Sequence, residues 1–221
     1  METVTSDLRG WISRCSVIAI LRGIRPNEVE SIGNALEEAG VSIIEVPLNS
    51  PDPLQSIGIL ARVFGDRMLV GAGTLTDPAQ VTEVARAGGR LIVTPHAELS
   101  VVRAAKQAGL FAVPGFFNPT EAFALLQAGA DAIKLFPAEI LGPSMLKALK
   151  AVLPKDTLVI PVGGIDKQSI AAWMAAGASA FGAGSSIYRP GDDAKTVKQK
   201  ATVLIDAIRS QKDSDRFQVD R

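Results

Sequence analysis

The chain has 221 residues, 47% apolar and 21% charged, with 23 basic side chains balancing 23 acidic ones. Zero formal charge with interspersed signs leaves no basic stripe to neutralise a phosphodiester backbone, which excludes nucleic acid as an expected partner. A single histidine, His96, and a single cysteine, Cys15, exclude a zinc site built on several imidazoles and an internal disulfide; the lone thiol fits a reducing compartment, so the cytoplasm is the expected location.

From the N-terminus, Met1 to Arg9 carries Glu2 and Asp7 and lacks the apolar run of a signal peptide, and no stretch approaches membrane-spanning length, so no membrane is expected as a partner. Val4 to Cys15 reads as an extra helix before the first strand, able to cover the N-terminal mouth of a barrel. Short β-branched runs then recur at Val17–Leu21, Ile43–Val46, Met68–Val70, Leu91–Val93, Leu110–Val113, Ala132–Leu135, Leu158–Pro161 and Ala180–Gly182. Helical patterns lie between them at Asn27–Ala39, Pro53–Phe64, Pro78–Ala87, Leu99–Ala108, Thr120–Ala128, Ser144–Leu153 and Lys167–Ala176. Five of these end in Ala-Gly, where glycine supplies the left-handed residue that closes a helix. Alternating strands and helices imply parallel pairing, and a unit of roughly 20 to 30 residues points to an α/β fold of the closed (β/α)8 TIM-barrel type. Residues 1–210 are expected to form that single domain, and 211–221 a polar, frayed C-terminal tail.

In such barrels chemistry sits where strands end and βα loops begin. Lys134 stands in the apolar run Asp131-Ala-Ile-Lys-Leu-Phe-Pro137, with Ile133 and Leu135 assigned to the helix-facing side and Lys134 pointing inward. Burial disfavours the ammonium and makes the amine a better nucleophile, which suits a Schiff-base lysine; the alternative is a lysine that snorkels to the rim or pairs with a structural carboxylate. Glu45, inward between Ile44 and Val46 on the second strand, shares a layer with the sixth strand's Lys134, close enough to exchange protons beside an imine. As a neighbouring charge it favours the ammonium while burial opposes it, and which effect wins is left open; so is a purely structural Lys-Glu pair.

Gly163-Gly164 and Gly182-Ala-Gly184-Ser185-Ser186 follow the seventh and eighth strands, where barrels often bind phosphate. Glycines let N–H groups approach an anion, and a short helix starting near Ser186 would add its dipole. Tight-turn chemistry is the alternative, but two glycine pairs in adjacent loops at this end favour phosphate. Arg22 ends the first strand beside that region and can clamp an anionic group. Thr74 offers a hydroxyl and an N–H suited to a carboxylate, or else caps the helix opening at Asp77-Pro78. His96 reads as a loop residue and Cys15 as inert.

Together, Ile18-Ala-Ile-Leu-Arg-Gly-Ile24, Glu45-Val-Pro-Leu-Asn-Ser-Pro51, Gly71-Ala-Gly-Thr74, Val93-Thr-Pro95, Ile133-Lys-Leu-Phe-Pro137 and Pro161-Val-Gly-Gly164 resemble the 2-keto-3-deoxy-6-phosphogluconate aldolase family from Val17 to about Arg209. The resemblance implies that Lys134 forms the imine, that Glu45 carries protons, and that Arg22, Thr74, Gly164, Ser185 and Ser186 contact substrate. It implies a homotrimer and no metal or organic cofactor. Asn49 and Val162 depart from the arginine and threonine usual in the phosphogluconate branch; the run Val46-Pro-Leu-Asn-Ser-Pro51 and the ending Gly184-Ser-Ser-Ile-Tyr-Arg-Pro-Gly191 are similar to the phosphogalactonate branch. The expected reaction is therefore cleavage of 2-dehydro-3-deoxy-6-phosphogalactonate to pyruvate and glyceraldehyde 3-phosphate. Phe116 and Phe117 stand where the family generally has smaller residues. Three alternatives stay open: an aldolase for 2-dehydro-3-deoxy-6-phosphogluconate, a phosphosugar isomerase or epimerase using Glu45 as base, and a non-catalytic phosphometabolite sensor.

Overall fold

The computed structural model describes residues 7–219, in which strands alternate with helices. The strands are β1 (Val17–Ile20), β2 (Ile43–Pro47), β3 (Leu69–Gly73), β4 (Leu91–Val93), β5 (Phe111–Val113), β6 (Gly115–Phe116), β7 (Ile133–Leu135), β8 (Val159–Pro161) and β9 (Phe181–Ala183). The helices are α1 (Leu8–Arg14), α2 (Val29–Glu38), α3 (Pro53–Phe64), α4 (Ala79–Arg86), α5 (Leu99–Gln107), α6 (Pro119–Gln127), α7 (Ala138–Lys150), α8 (Ile170–Ala175) and α9 (Ala194–Val219). The expected fifth strand is present as β5, which ends at Pro114, a residue with no N–H to give to a ladder; beyond it Gly115–Phe116 form a further short strand, β6, that the sequence reading did not anticipate.

Every strand pair is parallel, in the orders β5-β4-β3-β2-β1-β9 and β6-β7-β8. The expected α/β fold is present as a curled sheet of parallel strands. Beyond the named pairs, Val162 bridges Gly182, and the Lys134 N–H donates to the Pro114 carbonyl at 2.8 Å.

Strand alternation divides the apolar residues into two cores. On the convex face, Ile44, Val46, Ile133 and Leu135 join the apolar stripes of the helices; on the concave face, Ile18, Ile20, Ile43, Leu69, Leu91, Val113 and Ile160 pack together. Leu8, Trp11 and Ile12 of α1 belong to the concave core, so this helix covers the N-terminal mouth as expected; Val4 to Ser6 lie outside the described residues. The anticipated Ala-Gly closures hold, with Gly40, Gly88, Gly109, Gly129 and Gly177 at φ of +72° to +95° just past the ends of α2, α4, α5, α6 and α8.

Three expectations need correction. Helix α7 starts at Ala138 rather than Ser144, as two helical pieces meeting at the non-helical Gly142 before Pro143, and this break conceals the first piece from a periodicity reading. Helix α8 starts at Ile170 rather than Lys167, because Asp166 Oδ1 accepts from the N–H groups of Gln168 and Ser169 and holds those residues in a capping turn. No frayed segment begins at Gln211. Helix α9 continues unbroken to Val219, and Lys212 reaches back to donate to Ser16 Oγ at 2.8 Å; residues 220–221 are not described.

Candidate active site

The concave core ends in polar groups at the C-terminal edge of the strands. Glu45 is 2% exposed, and its neighbours Ile44 and Val46 take the convex side, which leaves its carboxylate the concave one. The side chain leans over β3: a Cβ added to Gly73 would collide with both carboxylate oxygens. Gly73 is thus the residue that makes room for the acid. Oε2 of Glu45 is buried without a hydrogen-bond partner, an arrangement costly to folding and common where a group is kept for chemistry.

Lys134 on β7 is 6% exposed, and its ammonium stands 4.7 Å from the centroid of the Phe136 ring, two residues along on the same face. Burial pulls the Lys134 amine below its ordinary value, and the positive Arg22 adds to this, while Glu45 pushes the other way. Burial therefore wins the contest that the sequence left open. Glu45 responds in the complementary sense, raised to about 7 by burial against the opposing pull of Lys134 and Arg22. Each group senses the other's charge, yet they form no salt bridge. A lysine with weakened hold on its proton beside a carboxyl titrating near neutrality can supply a nucleophile and a proton shuttle in one place.

Arg22, at the end of β1, donates from Nη1 to Asn49 Oδ1 at 2.7 Å and from Nη2 to Thr74 Oγ1 at 3.4 Å. Loops after β1, β2 and β3 thereby converge on one guanidinium, and Gly23 N–H to Ser50 Oγ at 2.9 Å ties the first two again. Thr74 has φ of +63°, rare for a β-branched residue and a sign of local backbone strain. It does not cap α4; Asp77 Oδ1 instead accepts from Ala79 N–H at 2.8 Å.

A cleft of about 690 Å³ opens beside these groups, with Arg22, Gly163, Gly164, Gly184, Ser185 and Ser186 in its walls, joined by Phe136, Glu139, Tyr188 and Arg189. Gly163 and Gly164 have φ of +110° and +66°, conformations that favour glycine. No helix starts at Ser186, contrary to expectation. Gly184 to Ile187 form a single turn, in which Ile187 and Tyr188 N–H both donate to the Gly184 carbonyl at 2.9 Å. The hydroxyls of Ser186 and Tyr188 are buried without partners.

His96 is exposed at the rim. Phe116 is buried in the convex core, and Phe117 is 48% exposed with its N–H given to Glu121 Oε2; neither lines the cleft. Cys15 is buried at the opposite end of β1, its thiol pushed up chiefly by burial. Sequence reasoning missed the parts of Gly73, Phe136, Glu139 and Tyr188. For Phe136 the signal was its i+2 spacing from Lys134; Gly73 carried none beyond its place in Gly71-Ala-Gly73.

Among the described residues no helix is long and apolar enough to cross a membrane, and no three His, Cys, Asp or Glu side chains cluster to hold a metal ion.

The family model described as "Aldolase: KDPG and KHG aldolase" matches residues 9–203. A protein of Rhizobium meliloti (strain 1021) named probable 2-dehydro-3-deoxy-6-phosphogalactonate aldolase is 46% identical over 191 residues, 86% of this chain and 90% of that protein. The 2-dehydro-3-deoxy-6-phosphogalactonate aldolase of Escherichia coli (strain K12) is 44% identical over 199 residues, 90% of this chain and 97% of its own. A solved structure described as native KDPGal superposes with a TM-score of 0.87 at 44% identity, covering 88% of this chain and 95% of its own. With the fold, the buried lysine and carboxylate and these likenesses in agreement, the chain belongs to the KDPG and KHG aldolase family.

Proposed function

We propose that this protein is a class I aldolase that cleaves 2-dehydro-3-deoxy-6-phosphogalactonate to pyruvate and glyceraldehyde 3-phosphate through an imine on Lys134. The observation that carries the reading is the buried pair: an amine shifted toward its neutral form, next to a carboxyl raised to about 7 with an unpartnered oxygen. The names of the relatives in Rhizobium meliloti and Escherichia coli support the substrate.

In this mechanism the neutral amine of Lys134 attacks the C2 ketone, and loss of water gives a protonated imine. Glu45 accepts the C4 hydroxyl proton, the C3–C4 bond breaks, and its electron pair moves through C2 to the imine nitrogen. Glyceraldehyde 3-phosphate departs and leaves a pyruvate enamine. Glu45, through water, returns a proton to C3, and hydrolysis releases pyruvate and regenerates Lys134. Arg22, oriented by Asn49 and Thr74, holds the substrate carboxylate. The phosphate rests on the backbone of Gly163, Gly164 and Gly184 and on Ser185 and Ser186, with no cofactor needed.

We further read residues 1–210 as one domain whose strands close into a (β/α)8 barrel, a reading supported by the Val162–Gly182 bridge and by the Lys134 N–H bond to Pro114. A homotrimer in the cytoplasm completes it. Phe117, Phe123 and Ile140, exposed at 48%, 38% and 72% on adjoining elements, are the apolar surface we assign to the subunit contact.

Borohydride added with pyruvate tests the imine. Mass spectrometry is expected to find a reduced pyruvate adduct on Lys134, and active protein with an unmodified Lys134 overturns the mechanism. Turnover of the two C4-epimeric phosphosugar acids, read by pyruvate release, is expected to favour the galactonate form; a preference for the gluconate form moves the substrate and leaves the imine standing.

A further inference from the structure

One carboxylate that the proposed chemistry does not use faces the glycine turn assigned to phosphate. Glu139 lies in the first turn of α7, and its side chain reaches the loop after β8. A Cβ added to Gly164 would lie 2.8 Å from Glu139 Oε2, and one added to Gly163 would lie 3.4 Å from that atom. The carboxylate therefore leans on the very backbone from which a bound anion would draw its hydrogen bonds. The N–H groups of Gly163 and Gly164 meet no acceptor among the described residues, and the same holds for Gly184 and Ser185. Glu139 has no hydrogen-bond or ion-pair partner there either.

Most of the other charges around this end of the cleft are already engaged. Arg22 is engaged by Asn49 and Thr74, Lys134 lies by Phe136, and Asp166 is spent on the N–H groups of Gln168 and Ser169. Arg189, on the loop after β9, is the remaining charge in the wall.

We propose that Glu139 is an affinity-setting residue whose negative charge loosens the hold of the cleft on the phosphate end of substrate and product. The inference rests on the assignment of the phosphate to this glycine turn. A like charge beside the cradle weakens binding of a phosphomonoester dianion in every state alike, so it raises KM and speeds product release without acting on the imine. Its effect grows with the charge on the phosphate, whose second ionisation lies near pH 6.

The probe is glycerol 3-phosphate, an unreactive phosphomonoester, as a competitive inhibitor of pyruvate release by the intact enzyme at pH 6 and pH 8. Glu139→Gln and Glu139→Ala are each expected to lower its Ki by about three- to tenfold at pH 8 and by less at pH 6. Borohydride trapping of pyruvate, which carries no phosphate, is expected to proceed in both variants at the wild-type rate. A Ki that is unchanged or raised in Glu139→Gln while the wild type is inhibited overturns the role of Glu139 alone. Tightening in the alanine variant only makes bulk rather than charge the cause, and overturns it too. If glycerol 3-phosphate fails to inhibit the wild type, the phosphate assignment falls and takes this inference with it.

Discussion

At the N-terminal end of the strands, Leu8, Trp11 and Ile12 seal the concave face over Ile43, Leu69 and Leu91, with the Trp11 ring flanked by Arg14 and Arg90 at 5.0 and 5.5 Å. At the C-terminal end the same face carries Lys134, Glu45 and an open cleft, with the Glu45, Ser186 and Tyr188 oxygens buried and unpartnered. One end spends mainly apolar surface on stability, with the Trp11 Nε1 as its buried unpartnered polar atom; the other keeps several polar groups away from water at a cost. A parallel sheet of this kind separates the two tasks along the strand direction, so changes at the two ends should affect different measurements.

The largest contrast is expected from Lys134→Ala. Turnover should fall by about 10⁴-fold or more, since no other amine replaces the nucleophile, while the thermal midpoint holds or rises because a buried charge-bearing group is gone. Trp11→Ala is the mirror experiment: it should cost about 3–5 kcal/mol in denaturant unfolding and leave kcat per folded molecule unchanged. Equal loss of turnover in the Trp11 variant would erase the division between the ends.

Gly73→Ala probes the proposed catalytic end alone, because one added methyl must displace the Glu45 carboxylate. Misplacement of a reacting group by about an ångström costs on the order of 100-fold in turnover, to be read as a loss of kcat with pyruvate trapping retained. Native-like turnover in this variant would mean that Glu45 does not act from its present position.

An effect of similar size is linked to pH. Because Glu45 is raised from an ordinary 4.5 to about 7, folding favours its protonated form. That stabilisation is complete below pH about 4.5 and is lost as pH rises through 7, so ionising Glu45 costs the native state at most about 3 kcal/mol at pH 8. Glu45→Gln should accordingly unfold at higher denaturant than the wild type at pH 8 and at nearly the same denaturant at pH 4.5. In the wild type, kcat/KM should decline below pH about 7, the point at which the base becomes protonated. A decline centred near 4.5 instead would place Glu45 in a wetter setting than the one described.

The alternation of side chains along a strand was legible without coordinates. Ile133 and Leu135 outside and Lys134 inside, like Ile44 and Val46 outside and Glu45 inside, follow from a period of two and from the cost of burying charge. Element order, parallel pairing, the plugging helix and the Ala-Gly closures were legible for similarly local reasons. Other features depend on groups distant in the chain. That burial outweighs Glu45 in setting the Lys134 amine is a sum over a closed environment. That Arg22 is gathered by Asn49 and Thr74, that Gly73 makes space for an acid 28 residues earlier, and that Glu139 crosses to Gly164 are matters of loop approach. Local periodicity states which way a side chain points, and only the packed chain decides what stands in front of it.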